Sequence, residues 1–300
     1  MREESWRRTA QTYGELTSIP PRYADVDVMR HLNNVAVGVM HLEARMRWLM
    51  RTLAPDAWRA DGVRLRPRWL ATDFLGEGHY PDAVDAGVRC LRVDSEGWDM
   101  ASGLFQHGTC FGTQHARLSA WCDGMPIALP DAIRHSLQAA SQPLAGSGSP
   151  TPMAPRPEIG DFAWSVSLQS RFADMDADGH AGEVALSRYM ETARILGVRD
   201  GVPDLSRALQ AEGMGLVVGR VEMTVFSLPR PPRQWHAGVR ISRLGTASFT
   251  VQCALFARDA CVAASDTVLV SIQRDAMRAR ALPETAREAL APLIQTALAR

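Results

Sequence analysis

The strongest constraint on this chain is that it states one pattern twice. Residues 22–45 read RYADVDVMRHLNNVAVGVMHLEAR and residues 171–194 read RFADMDADGHAGEVALSRYMETAR. Arg171 follows Arg22 by 149 residues, about half of the 300-residue chain, and each copy runs from a D-x-D pair through a turn into an amphipathic helix. A repeat of that period calls for two copies of one fold in tandem. Residues 138–160, QAASQPLAGSGSPTPMAPRPEIG, are rich in Pro, Gly, Ser and Ala and read as a linker between them. The expected organisation is an N-terminal domain over 1–140, a linker over 141–158 and a C-terminal domain over 159–300.

The periodicity inside each copy supplies the elements. In the second, Leu186, Tyr189, Met190, Ala193 and Leu196 share one helix face; in the first, Val37, Met40, Ala44 and Trp48 do so. Downstream, Val239 and Ile241, then Phe249, Val251, Cys253 and Leu255, alternate with the period of two that marks half-buried antiparallel strands. Residues 86–105 and 111–124 repeat that order in the first half, and each half closes on a Leu-Pro followed by a polar helix, from 129 and from 282. A strand, one long helix and a run of antiparallel strands per half make an α+β fold, because an apolar-faced helix and a curved sheet bury each other.

Composition excludes several classes. Basic and acidic residues number 33 each, so there is no global field to favour nucleic acid or an anionic membrane; every basic residue counted is Arg. No run approaches the length of a membrane span. Five scattered cysteines, Cys90, Cys110, Cys122, Cys253 and Cys261, lack metal-ligand spacing and read as core hydrophobes in a reducing, cytoplasmic compartment. No metal and no cofactor is expected, and nucleophile-elbow, Walker A and dinucleotide-binding motifs are missing from the sequence.

The pattern R-[YF]-x-D-x-D-x-x-G-H-x-N-N leading into Y-x-E-x-A-R resembles the hotdog-fold acyl-CoA thioesterases related to 4-hydroxybenzoyl-CoA thioesterase, and its duplication resembles the tandem-hotdog acyl-carrier-protein thioesterases. The second half carries Arg171, Phe172, Asp174, Asp176, Gly179, His180, Tyr189, Glu191, Ala193 and Arg194, with Gly182 and Glu183 in place of the Asn pair. The first half carries Arg22, Tyr23, Asp25, Asp27, His31, Asn33, Asn34, Ala44 and Arg45, with Arg30 in place of the glycine and Leu42 in place of the Glu. The resemblance implies two tandem hotdog folds packed as an internal pseudo-dimer, with acyl sites between the halves and a further homodimer left open. It also implies an acyl-CoA or acyl-carrier-protein substrate, held by surface arginines, and thioester hydrolysis.

On that resemblance the second Asp of the pair is the catalytic carboxylate, Asp176 and its degenerate counterpart Asp27, with His180 and Glu191 as assisting candidates. The chemistry needs a base or nucleophile on one side of the carbonyl and positive potential where the oxyanion grows. A helix N-terminus supplies the second through N–H groups that have no intrahelical partner. Gly182 and Glu183 are the expected donors, Asn33 and Asn34 hold the same places in the first half, and Gly179 lets the chain turn into the helix without a Cβ penalty. Arg30 at that turn suggests a reshaped first site.

Each residue also has a structural reading: Asp before a helix as an N-cap, Asp25 and Asp174 as turn residues, the histidines as satisfied turn or core groups, Glu191 as an i, i+3 partner of Arg194, and the asparagines as caps. Two rival functions stay open, a hotdog hydratase or dehydratase acting on acyl thioesters and a non-catalytic acyl-thioester-binding protein.

Overall fold

The computed structural model describes residues 5–55, 63–144 and 155–294, and the chain divides into two compact units, Met1–Met153 and Ala154–Arg300. Part of the expected linker, residues 145–154, lies outside the described residues.

The first unit contains β1 (Leu16–Ile19), α1 (Asn34–Thr52), β2 (Arg64–Phe74), β3 (Val84–Val93), β4 (Trp98–Gln106), β5 (Thr109–Cys122), β6 (Met125–Ile127) and α2 (Asp131–Ala140). Its strands run β1-β3-β4-β5-β2, antiparallel throughout, with β6 added on β5. The second unit contains β7 (Trp164–Gln169), α3 (Glu183–Gly201), α4 (Leu205–Ala211), β8 (Met214–Val225), β9 (Gln234–Leu244), β10 (Ser248–Ala257), β11 (Ala260–Gln273), β12 (Arg278–Ala279) and α5 (Glu284–Leu290). Its strands run β7-β9-β10-β11-β8, with β12 paired to β11. The two orders are the same order, so the repeat read in the motif extends through the topology.

Each unit buries a 19-residue helix against its sheet: α1 lies on β3 and β4, α3 on β7, β9 and β10. The alternating positions are the core. Val239, Ile241, Val251 and Leu255 are completely buried, with Val251 facing Ile241 and Cys253 facing Val239 across neighbouring strands. On α3, Leu186 and Ala193 are completely buried while Leu196 is only half-buried, because Gly197 takes the contact one position further on. A Cβ there would stand 2.8 Å from Val239, so the glycine sets how closely α3 approaches β9.

Two elements escape the periodic reading. Strand β2 carries Arg64, Arg66, Pro67 and Arg68, a composition that argues against a strand; Pro67 is accommodated where the pairing with β5 shifts register between Pro67 and Trp69. Helix α4 is too short to show a helical period. All five cysteines are free thiols, and burial pushes those of Cys90, Cys253 and Cys261 up to about 12. Among the described residues no helix is long and apolar enough to cross a membrane.

Candidate active site

The two motif loops share four hydrogen bonds. In the second unit the Asp176 N–H donates to the His180 carbonyl at 2.8 Å and the Gly179 N–H to the Asp176 carbonyl at 3.0 Å. Asp176 Oδ1 then accepts from the N–H groups of Asp178 (2.9 Å) and His180 (3.1 Å). In the first unit the Asp27 N–H donates to the His31 carbonyl at 2.9 Å, the Arg30 N–H to the Asp27 carbonyl at 3.0 Å, and Asp27 Oδ1 accepts from Met29 (2.8 Å) and His31 (3.2 Å). Thus in both copies the second Asp of the pair folds the loop onto its own side chain.

Such a loop needs one residue at positive φ. Gly179 has φ 75°, and Arg30 has φ 67°. Arg30, expected to mark a reshaped first site, leaves the loop backbone itself unchanged: the arginine adopts the glycine's conformation and keeps these four hydrogen bonds, at a cost of roughly 1–2 kcal/mol for an L-residue there.

Asp25 and Asp174 serve the turn before the loop. Asp25 Oδ2 accepts from the Arg22 backbone N–H at 2.8 Å and its Oδ1 from the Arg22 guanidinium at 2.7 Å. Asp174 Oδ2 accepts from the Arg171 N–H at 2.7 Å and from the Tyr189 hydroxyl, whose pKa is raised by burial first and by that carboxylate second.

The copies diverge at the helix mouth. Asn33 is the N-cap of α1, and its Oδ1 accepts from the Val35 N–H at 2.7 Å, which occupies a first-turn donor; Asn34 opens the helix proper. Gly182 is the N-cap of α3 and makes no side-chain cap, with Glu183 as the first helical residue. A Cβ on Gly182 would stand 3.1 Å from Asp176 Oδ2. The missing side chain is what lets that second carboxylate oxygen lie against the helix entrance, while Oδ1 is held by the loop.

His180 donates from Nδ1 to the Leu228 carbonyl at 2.5 Å, since a carbonyl can only accept, which leaves Nε2 as the acceptor of the neutral ring. His31 instead turns Nε2 to the Glu77 carboxylate at 3.1 Å. Glu191 lies about 12 Å along α3 from Glu183 at the usual helical rise, and its carboxylate sits 4.0 Å from the buried Arg194 guanidinium. The geometry brings Asp176, His180, Gly179, Gly182 and Glu183 together and leaves Glu191 with Arg194. Sequence reading had no signal for the Leu228 carbonyl, because the segment that follows β8 delivers it from 48 residues away.

No protein-family model matches the sequence, and no curated protein matches it by sequence. Solved structures do match the fold. The 12:0-ACP thioesterase from Umbellularia californica superposes with a TM-score of 0.68 at 10% identity, covering 90% of this chain and all of that one (100%). An acyl-ACP thioesterase from Bacteroides thetaiotaomicron superposes with a TM-score of 0.63 at 12% identity, covering 85% of this chain and 97% of that one. The fold is a tandem hotdog. Each hotdog unit therefore presents one Asx-folded loop in front of its long helix, and in the second the carboxylate lies against an N-cap residue that has no side chain.

Proposed function

We propose that this chain hydrolyses an acyl thioester, of CoA or of an acyl-carrier protein, in its second hotdog unit. The observation that carries the proposal is the asymmetry at residue 182: Asp176 Oδ2 lies against a helix N-cap that has no side chain. Asp176 would supply the base for water or the nucleophile, and the first-turn N–H groups at 182–183 would receive the carbonyl oxygen as charge develops on it. Losing one such donor typically costs about 10²–10³ in rate, and a positioned base contributes about 10²–10⁴, so both are needed. His180, with Nε2 as acceptor, would accept or relay a proton at the loop. Asp27 is the counterpart in the first unit, where Asn33 already spends a first-turn donor. That unit is proposed to bind or position rather than to hydrolyse.

The fold shared with the two acyl-ACP thioesterases supports a thioester substrate, as does the motif. The test is thiol release over a panel of aliphatic and aromatic acyl-CoAs and acyl-carrier-protein thioesters. The wild type is expected to release thiol from at least one, and Asp176→Asn to lower that rate by about 10²-fold or more. Water addition to crotonyl-CoA with no free thiol would instead establish a hydratase.

A further inference from the structure

The first unit holds a cluster that its repeat partner lacks. His31 Nε2 lies 3.1 Å from Glu77 Oε2, and His79 Nε2 lies 3.8 Å from the same oxygen. The two imidazoles meet edge to face, with ring centroids 5.4 Å apart, and one ligand atom from each of the three residues falls within 4.8 Å of the others. A histidine and a carboxylate can form an ordinary ion pair. With the proton on Nδ1, each ring turns an Nε2 lone pair toward the Glu77 oxygen, so the three atoms can also ligate one cation. One divalent cation in the middle reconciles all three. Metal bonds of about 2.0–2.1 Å in a tetrahedral set place ligand atoms about 3.3 Å apart, and the observed separations bracket that spacing.

The ligands are also held. Gln106, buried in β4, accepts from the His79 N–H at 2.8 Å and donates to the His79 carbonyl at 2.8 Å and to the Asp82 carbonyl at 2.7 Å. Gly78, between the two ligands, is seated where a Cβ would stand 2.8 Å from Leu32, and its carbonyl accepts the Leu32 N–H at 2.8 Å. This fastens the Glu77-Gly78-His79 turn beside His31. In the second unit the matching hydrogen bond runs from Ala181 to Pro229. The residues flanking Pro229, which match Glu77 and His79, are Leu228 and Arg230, and neither side chain ligates a metal.

We propose that His31, Glu77 and His79, all in the first unit, form a binding site for a divalent transition-metal ion of the zinc type. Two imidazoles and one carboxylate suit Zn²⁺ or Co²⁺ rather than Mg²⁺ or Ca²⁺. The side chains are 24%, 34% and 53% exposed, so a fourth position stays open to water or to an exogenous ligand.

The test is calorimetric titration of the full chain, after dialysis against a chelator, with ZnCl₂, and a parallel CoCl₂ titration followed by visible d–d absorption. One saturable equivalent is expected, with the intense Co²⁺ bands of a tetrahedral site. His79→Ala should lower the affinity by about 100-fold or more and abolish those bands, while His135→Ala, at an exposed histidine on α2, should change neither. Glu77→Gln, which keeps the side-chain shape, carries the same expectation should His79→Ala melt early. Absence of saturable binding, or binding unaltered in both His79→Ala and Glu77→Gln, would overturn the assignment.

Discussion

At the scale of single residues, two positions distinguish the copies of the repeated motif. Residue 182 is glycine where its counterpart, residue 33, is asparagine, and only the asparagine brings a side-chain cap to its helix. Gly182→Asn should bring a Cβ against Asp176 and a carbonyl onto the first turn, lowering thiol release by about 10²–10³-fold with little change in melting temperature. Asn33→Ala should instead destabilise the first unit by about 1 kcal/mol, read as a shift in urea midpoint, and leave the rate alone. The second position is the turn. Arg30→Gly relieves a left-handed arginine and is expected to stabilise by about 1 kcal/mol, whereas Gly179→Ala should cost a similar amount; equal midpoints for Arg30→Gly and wild type would contradict the strain at φ 67°. These residues show how far the sequence can be read. The D-x-D spacing located both loops because an Asx-folded turn is local, encoded within five residues. It could not show that Arg30 takes the glycine's φ, because backbone strain borne by the surrounding hydrogen bonds leaves no trace in residue type.

At the scale of elements, the long helices are held by contacts of opposite character. On α3 the contact is steric: Gly197 meets Val239, and Gly197→Val should cost about 1–3 kcal/mol by overpacking, measured by chemical denaturation. On α1 it is polar. His41 is completely buried, its Nδ1 paired with Ser102 Oγ at 2.8 Å, and burial first, then the nearby Arg45 and Arg7 charges, hold its pKa well below 6.5. The unfolded chain therefore binds a proton below about 6.5 that the folded chain refuses. Stability should fall as pH drops below that point and level off above it. A His41→Gln variant that showed the same loss between pH 6.5 and 5 would place its origin elsewhere. The apolar stripe of α1 was visible in the sequence, but His41 interrupts it, and only the register of α1 on β4 shows that its partner is Ser102. Strand β2 was illegible for a related reason, since the bulge that tolerates Pro67 is a property of its pairing with β5 rather than of its own residues.

At the scale of the whole molecule, a duplicated fold has kept its strand order and its long helix, and the proposed hydrolysis divides its chemistry between the copies. Strand order, helix length and loop hydrogen bonds agree between the units. At the proposed sites the units differ in asparagine against glycine at the helix mouth, and in the Glu77/His79 pair against Leu228 and Arg230 at the matching turn. The repeat gave away the architecture because fold is written in periodicity across many positions. The division of labour is written in single contacts, several of them made by segments tens of residues apart, and those required coordinates. The central claim, that hydrolysis belongs to the second copy, is tested most directly by measuring kcat for the best thioester substrate in Asp27→Asn and Asp176→Asn side by side. The account predicts that Asp176→Asn loses about 10²-fold or more while Asp27→Asn stays within a few-fold of wild type. Equal loss in both, or a loss confined to Asp27→Asn, would contradict it.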